Sequence, residues 1–188
     1  MSKFIKVIFV HGNGGGDVND PKGWFPYLKR KLEKLNLQVI SQNFPDPIKA
    51  RAKYWLPFLK KLEADENTIL IGHSSGAVAA LRYAEKHQIL GSILVSACYT
   101  DLGLKSEKIS GYYDKVWNWK KIKHNQKWIV QFHSADDPFI PIEEARYIHE
   151  KLTTQYYEFK DQGHFGYPRV KREFPEIIDV LKTKLKTV

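Results

Sequence analysis

Residues 68–87, TILIGHSSGAVAALRYAEKH, pass from an aliphatic run through two glycines and two adjacent serines into an alanine-rich stretch. The first part reads as a buried strand and "SGAVAALRYAEKH" as a helix. Between them Gly72-His73-Ser74-Ser75-Gly76 forms G-x-S-x-G, with Ser74 and not Ser75 at its centre. At average glycine and serine usage the pattern arises by chance roughly 0.06 times in such a chain, so its setting decides. Strand, sharp turn and helix are what a nucleophile elbow requires. Side chains two positions either side of the nucleophile would strike backbone, and glycine removes them. The turn also sets Ser74 at a helix N-terminus, where developing negative charge is favoured. The competing reading is a glycine-rich helix start that Ser74 caps.

Outward from this stretch, short apolar runs alternate with amphipathic ones. KVIFV (6–10), LQVISQNF (37–44), TILIG (68–72), GSILVSA (91–97), KWIVQFHS (127–134) and QYYEFK (155–160) read as strands. Residues 24–35, 48–63, 75–87, 141–152 and 170–185 read as helices, the second interrupted or bent near Pro57 and the last with Pro175 in its early turns. Buried strands alternating with helices predict a doubly wound, mostly parallel α/β sheet of about six strands with helices on both faces. The 188 residues suit one domain, 1–188, with an aromatic-rich connection at 98–126 as a possible small cap. Ligands of such sheets bind beyond the carboxyl ends of the strands.

A serine hydroxyl needs a base to take its proton. Of seven histidines, His164 stands in "DQGHFG", after the last strand and before the last helix. That is where the base falls in the chain order Ser, Asp or Glu, His. The orienting acid belongs between them, and "HSADDPFIP" offers Asp136 and Asp137. Asp137 is the expected partner of His164, and Asp136 the expected loop-shaping residue. "VHGNGGG" after the first strand lacks the third glycine of a dinucleotide loop, because Asp17 stands there, and lacks G-K-[ST]. As an oxyanion loop it makes sense, with the backbone amides of Asn13 and Ser75 as donors and Gly14 close behind Asn13. Among the aromatic residues, Phe139, Phe165 and Trp55 are the candidate pocket walls, core packing being the default for most of the others.

The single cysteine, Cys98, excludes a disulfide framework and a multi-cysteine metal site, and suits a reducing, cytoplasmic compartment. No apolar run has the roughly 20 residues of a membrane span. The net charge of +9 invites nucleic acid, but the lysines are dispersed over helical stretches and no nucleic-acid-binding motif is present. Residues 115–127, KVWNWKKIKHNQK, are read as a solvated amphipathic helix with its tryptophans inward or over a pocket. The expected partners are therefore a small ester or amide or a short peptide, with no nucleic acid and no membrane, acting on a monomer.

With "GNGGGDV", "NFPDPIKAR", "WLPF", "IGHSSGAVAALRYAE", "SGYY", "VQFHSADDPFIP" and "GHFG" assembled, the chain resembles the retinoblastoma-binding protein 9 family nearly end to end. These are small serine hydrolases of the α/β-hydrolase superfamily. The resemblance implies a compact α/β-hydrolase fold without a large lid domain, no cofactor and no metal. It also implies Ser74 as nucleophile, Asp137 as acid and His164 as base. Esterase and peptidase-like activities are both discussed for that family. The family's L-x-C-x-E segment corresponds to "LEADE", Leu62–Glu66, with Ala64 in place of the cysteine. A retinoblastoma-type partner is accordingly not carried over.

Overall fold

Six parallel strands, β1 (Lys6–Val10), β2 (Gln38–Ile40), β3 (Thr68–His73), β4 (Ile89–Val95), β5 (Gln126–Ser134) and β6 (Gln155–Phe159), form one sheet in the order β2-β1-β3-β4-β5-β6. The computed structural model describes residues 5–186. Successive side chains of a strand point to opposite faces, so each apolar run serves two cores. On one face Ile8, Val10 and Leu70 pack with α2 (Ala52–Lys61), α3 (Ser75–Ala84), α5 (Trp119–His124) and α6 (Ile142–Leu152). On the other, Val7, Phe9 and Ile69 pack with α1 (Phe25–Glu33) and α7 (Pro175–Leu185). Both faces of the sheet are covered. Burial on both sides explains why the central strands β1, β3 and β4 carry continuous apolar sequence and not alternation.

Three elements fall short of their sequence patterns by five or six residues. β2 stops at Ile40, because the following residues bond elsewhere: the Phe44 amide donates to His11 Nε2 at 2.9 Å, and Asn43 Oδ1 accepts from the Val18 amide. α2 begins at Ala52, preceded by a turn closed from the Ala50 amide to the Asp46 carbonyl and by an extended Arg51; it then runs through Pro57. α7 begins with Pro175 at its first turn, where a missing N–H costs nothing and φ is already helical.

The 98–126 connection holds the four-residue α4 (Lys105–Lys108) and α5, and is tied down at several points. Arg82, buried on α3, donates to the carbonyls of Tyr112 (2.7 Å) and Lys115 (2.6 Å), and its guanidinium lies 3.4 Å from the Trp117 ring centroid. Glu144 accepts from the Tyr99 and Thr100 amides. Trp117 and Trp119 stack on each other at 5.2 Å, and Trp119 also meets Tyr99 and Tyr147. These tryptophans therefore pack against the protein. Ala64, where the cysteine of the partner motif would stand, is buried with its carbonyl accepting from the Tyr83 hydroxyl.

Candidate active site

The turn between β3 and α3 is built by the two glycines. A Cβ on Gly72 would overlap the Gly76 carbonyl, and one on Gly76 would overlap the Val10 carbonyl of the neighbouring strand. Ser74 between them has φ 55° and ψ −124°, a conformation that costs a non-glycine residue about 1–3 kcal/mol and persists only where surroundings impose it. Its amide is held by the Val95 carbonyl at 2.8 Å. The result is a serine standing proud of the strand end at the start of α3. Ser75 is the first helical residue, so its N–H has no acceptor one turn back in the helix.

Asp137 and His164 meet across the ends of β5 and β6. His164 Nδ1 donates to Asp137 Oδ2 at 2.8 Å. The same oxygen accepts from Ser96 Oγ at 2.8 Å, while Oδ1 accepts from the amides of Phe139 (3.0 Å) and Ile140 (3.1 Å). Burial opposes the ionised carboxylate, but the bonds from His164 and the two amides outweigh it and hold the Asp137 pKa below its ordinary value. Asp136 does something different. It accepts from Ser134 Oγ, the Gly163 amide and Arg169, fixing the loop on which His164 sits. The adjacent carboxylates are thus divided between a histidine and a scaffold.

Two further histidines brace this centre. His73 donates from Nε2 to the His164 carbonyl at 2.8 Å, with the two rings 4.7 Å apart. Burial, aided by the neighbouring His164, lowers the His73 pKa to about 3, so it remains neutral near pH 7. His11 donates from Nδ1 to the Gly12 carbonyl and accepts at Nε2 from Phe44, pinning the glycine loop to the β2 side of the sheet. In that loop the amides of Gly14 and Gly15 donate to the carbonyls of Ile48 and Pro47. The Asn13 amide has no such acceptor among the described residues. The Asn13 side chain donates to Glu107 on α4 at 2.6 Å.

Ser74, Ser75, Asn13 and His164 border one cavity of about 440 Å³, walled further by Leu102, Leu104, Phe139 and Ile140. Of the expected pocket residues, Phe139 lines it and is 51% exposed. Trp55 and Phe165 do not line it. Trp55 is fully buried on the inward face of α2, donates to the Pro45 carbonyl and packs edge-on to His11, so it supports the loop from behind. Phe165 has φ 51° and is 1% exposed, its ring stacked on Phe174 at 5.2 Å. Cys98 borders the cavity, but burial pushes its thiol up to about 12, which leaves it protonated and unreactive near neutral pH.

Sequence reasoning assigned no role to Ser96, Glu107 or Arg82. Ser96 ends a strand on the ligand-binding side of the sheet, which is a signal of place but not of partner. The Asn13 partner of Glu107 lies 94 residues away, and although Arg82 pairs locally with Glu85 at 2.8 Å, the carbonyls it ties down lie about 30 residues away. Among the described residues no group of histidine, cysteine, aspartate and glutamate is arranged to hold a metal, and no helix is long and apolar enough to cross a membrane.

Three comparisons place this architecture among known proteins. Serine hydrolase RBBP9 of Rattus norvegicus is 47% identical over 187 residues, covering 98% of both chains. YdeN of Bacillus subtilis (strain 168) is 30% identical over 185 residues, 94% of each chain. The crystal structure of the B. subtilis ydeN gene product superimposes with a TM-score of 0.82 at 27% identity, over 97% of this chain and 99% of that one. The sheet order and the elbow are those of a compact α/β-hydrolase. Since the serine hydrolase family model also matches residues 7–183, the chain belongs to the serine hydrolase family.

Proposed function

We propose that the protein hydrolyses small esters or amides through an acyl-enzyme, with Ser74 as nucleophile, His164 as general base and acid, and Asp137 as the residue that orients His164. The observation carrying this reading is the 2.8 Å bond from His164 Nδ1 to Asp137, which leaves Nε2 as the ring nitrogen without a proton, on the cavity that Ser74 borders. Ser74 Oγ gives its proton to Nε2 and attacks the carbonyl carbon. The amides of Asn13 and Ser75 receive the oxyanion. The protonated His164 then donates to the leaving atom, and water, deprotonated in turn by His164, releases the acyl group. Leu102, Leu104 and Phe139 favour an apolar acyl part.

The test is labelling with an active-site fluorophosphonate. Wild-type protein is labelled and Ser74→Ala is not; equal labelling of both, or of neither, removes the basis of the proposal. A second reading, hydrolysis of aminoacyl amides or peptides from a free amino end, has one observation in its favour. Glu107 is the single carboxylate among the residues bordering the cavity, and could anchor a substrate ammonium. Faster turnover of aminoacyl amides than of nitrophenyl esters of matched size would favour this second reading over the first.

A further inference from the structure

A second cavity, of about 330 Å³, also borders the His73–His164 pair. It shares Gly12, Gly16, His73 and His164 with the first, whereas Ser74, Ser75 and Asn13 border only the first. Each has the volume of a small-ligand cleft, roughly 300–1,000 Å³. Exposed apolar side chains mark both. Leu104 (49% exposed) and Phe139 (51%) stand on the first, Tyr167 (55%) and Val170 (52%) on the second. Phe139 and Tyr167 lie 5.1 Å apart, and Phe139 meets the His164 ring edge-on at 5.1 Å, so the apolar walls meet over His164.

Resting on the acyl-enzyme reading above, we propose that the second cavity receives the leaving group and the first the acyl part. The substrate is then an ester or amide with an apolar group of aromatic size on the alcohol or amine side as well as an apolar acyl chain. The chemistry fixes the assignment. The carbonyl oxygen must point at the Asn13 and Ser75 amides, which border only the first cavity. The leaving atom must face His164, the only one of the three reacting residues that borders the second. In acylation the Ser74 Oγ–carbon bond forms, the Oγ proton passes to His164, the bond from carbonyl carbon to leaving atom breaks, and that same proton leaves with the alcohol or amine. In deacylation a water oxygen bonds to the carbonyl carbon as its proton passes to His164, the Ser74 Oγ–carbon bond breaks, Oγ takes that proton back from His164, and the carboxylic acid departs from the first cavity. Asp17 and Asp20 also border the second cavity, but they close turns, onto the Asn19 and Lys22 amides respectively. Lys22 borders this cavity as well, so both signs of charge are present and the assignment is made on the apolar walls alone.

The experiment compares two substrate series. Methyl, benzyl and 2-naphthylmethyl acetates share an acyl group and have alcohols of similar acidity; 4-nitrophenyl acetate, butyrate and octanoate share a leaving group. The wild type is expected to prefer the benzyl over the methyl ester in kcat/KM. Tyr167→Ala and, as a milder second variant, Val170→Ser are expected to reduce that preference roughly 10-fold, the scale of one lost apolar contact, while Leu104→Ala reduces the octanoate-to-acetate preference instead. Both positions on the second cavity are exposed, so folding is not at stake. No benzyl preference in the wild type, or a Tyr167 variant that alters the acyl ratio in place of the alcohol ratio, overturns the assignment. Failure of the underlying acyl-enzyme reading shows itself separately, as absence of a nitrophenol burst and of fluorophosphonate labelling.

Discussion

Asp136 and Asp137 are chemically identical neighbours, and what separates them is the direction of the chain after β5. Asp137 turns inward to His164, Ser96 and two amides, while Asp136 turns outward to Arg169 and the Gly163 amide. Asp137→Asn keeps the shape but can hold the wrong tautomer of His164, so kcat is expected to fall by about 10⁴. The matching change Asp136→Asn is expected to cost far less in kcat and to appear mainly as a lower Tm; equal losses in kcat would contradict this division. His73 gives a pH signature. Its folded pKa of about 3 lies below the ordinary histidine value of 6.5, so the unfolded chain binds the proton first as pH falls. Its contribution is complete above about pH 6.5 and is lost progressively toward about pH 3. His73→Gln can still donate to the His164 carbonyl but does not titrate. The Tm advantage of wild type over His73→Gln should shrink between about pH 7 and about pH 4.5; an advantage that grows on acidification would show the sign to be wrong.

At the scale of elements, the site depends on two close approaches. α3 lies against β1 without clearance at Gly76, so Gly76→Ala must push the helix from the strand, a strain of about 1–3 kcal/mol or more. Urea melts of this variant should show that loss together with reduced labelling of Ser74, since the elbow moves with the helix. The second approach joins α4 to the loop after β1 through the bond from Asn13 to Glu107. α4 has only four residues and little burial of its own, so this bond places it. Burial raises the Glu107 pKa, with Asn13 and then Tyr113 working against the rise. If the contact acts by holding the loop, Asn13→Ala and Glu107→Ala should each lower kcat/KM several-fold and their double variant little further, a coupling of about 0.5–3 kcal/mol. Additive losses would separate the two residues. Rescue in Glu107→Gln, which keeps an acceptor oxygen, would exclude a charge effect.

The whole molecule presents two sheet edges that could recruit a second copy. β2 has three residues, and β6 carries exposed Glu158, ion-paired with Arg146 at 2.8 Å. Short and charged edges disfavour strand-to-strand association, and a net charge of +9 adds repulsion between copies. Sedimentation equilibrium is therefore expected to give the 21.9 kDa of one chain; a stable dimer would refute the edge argument. The tryptophans of the basic 115–127 segment are engaged with Arg82, Tyr99 and Tyr147.

The alternation of apolar runs with amphipathic ones was enough to point to a mostly parallel sheet of about six strands and to its five longer helices, because hydrophobic period is a local property, whereas the four-residue α4 left no such signal. The strand-turn-helix setting of Ser74 and its glycines was legible for the same reason, because it lies within twenty residues. Element ends were not legible where a distant group competed for the backbone, as at Phe44, whose amide goes to His11. Nor were the fates of the aromatic residues. Trp55 borders neither cavity, because an inward helix face turns it into the core, whereas Phe165 packs in the core on a left-handed backbone and borders only the second cavity. Ser96, Arg82 and Glu107 act through partners about 30 to 94 residues away. The division of the site into two cavities about His164 exists only once β5, β6 and the glycine loop are brought together. Sequence carries what is local and periodic; pairing between distant side chains, and the spaces left between them, are decided by packing.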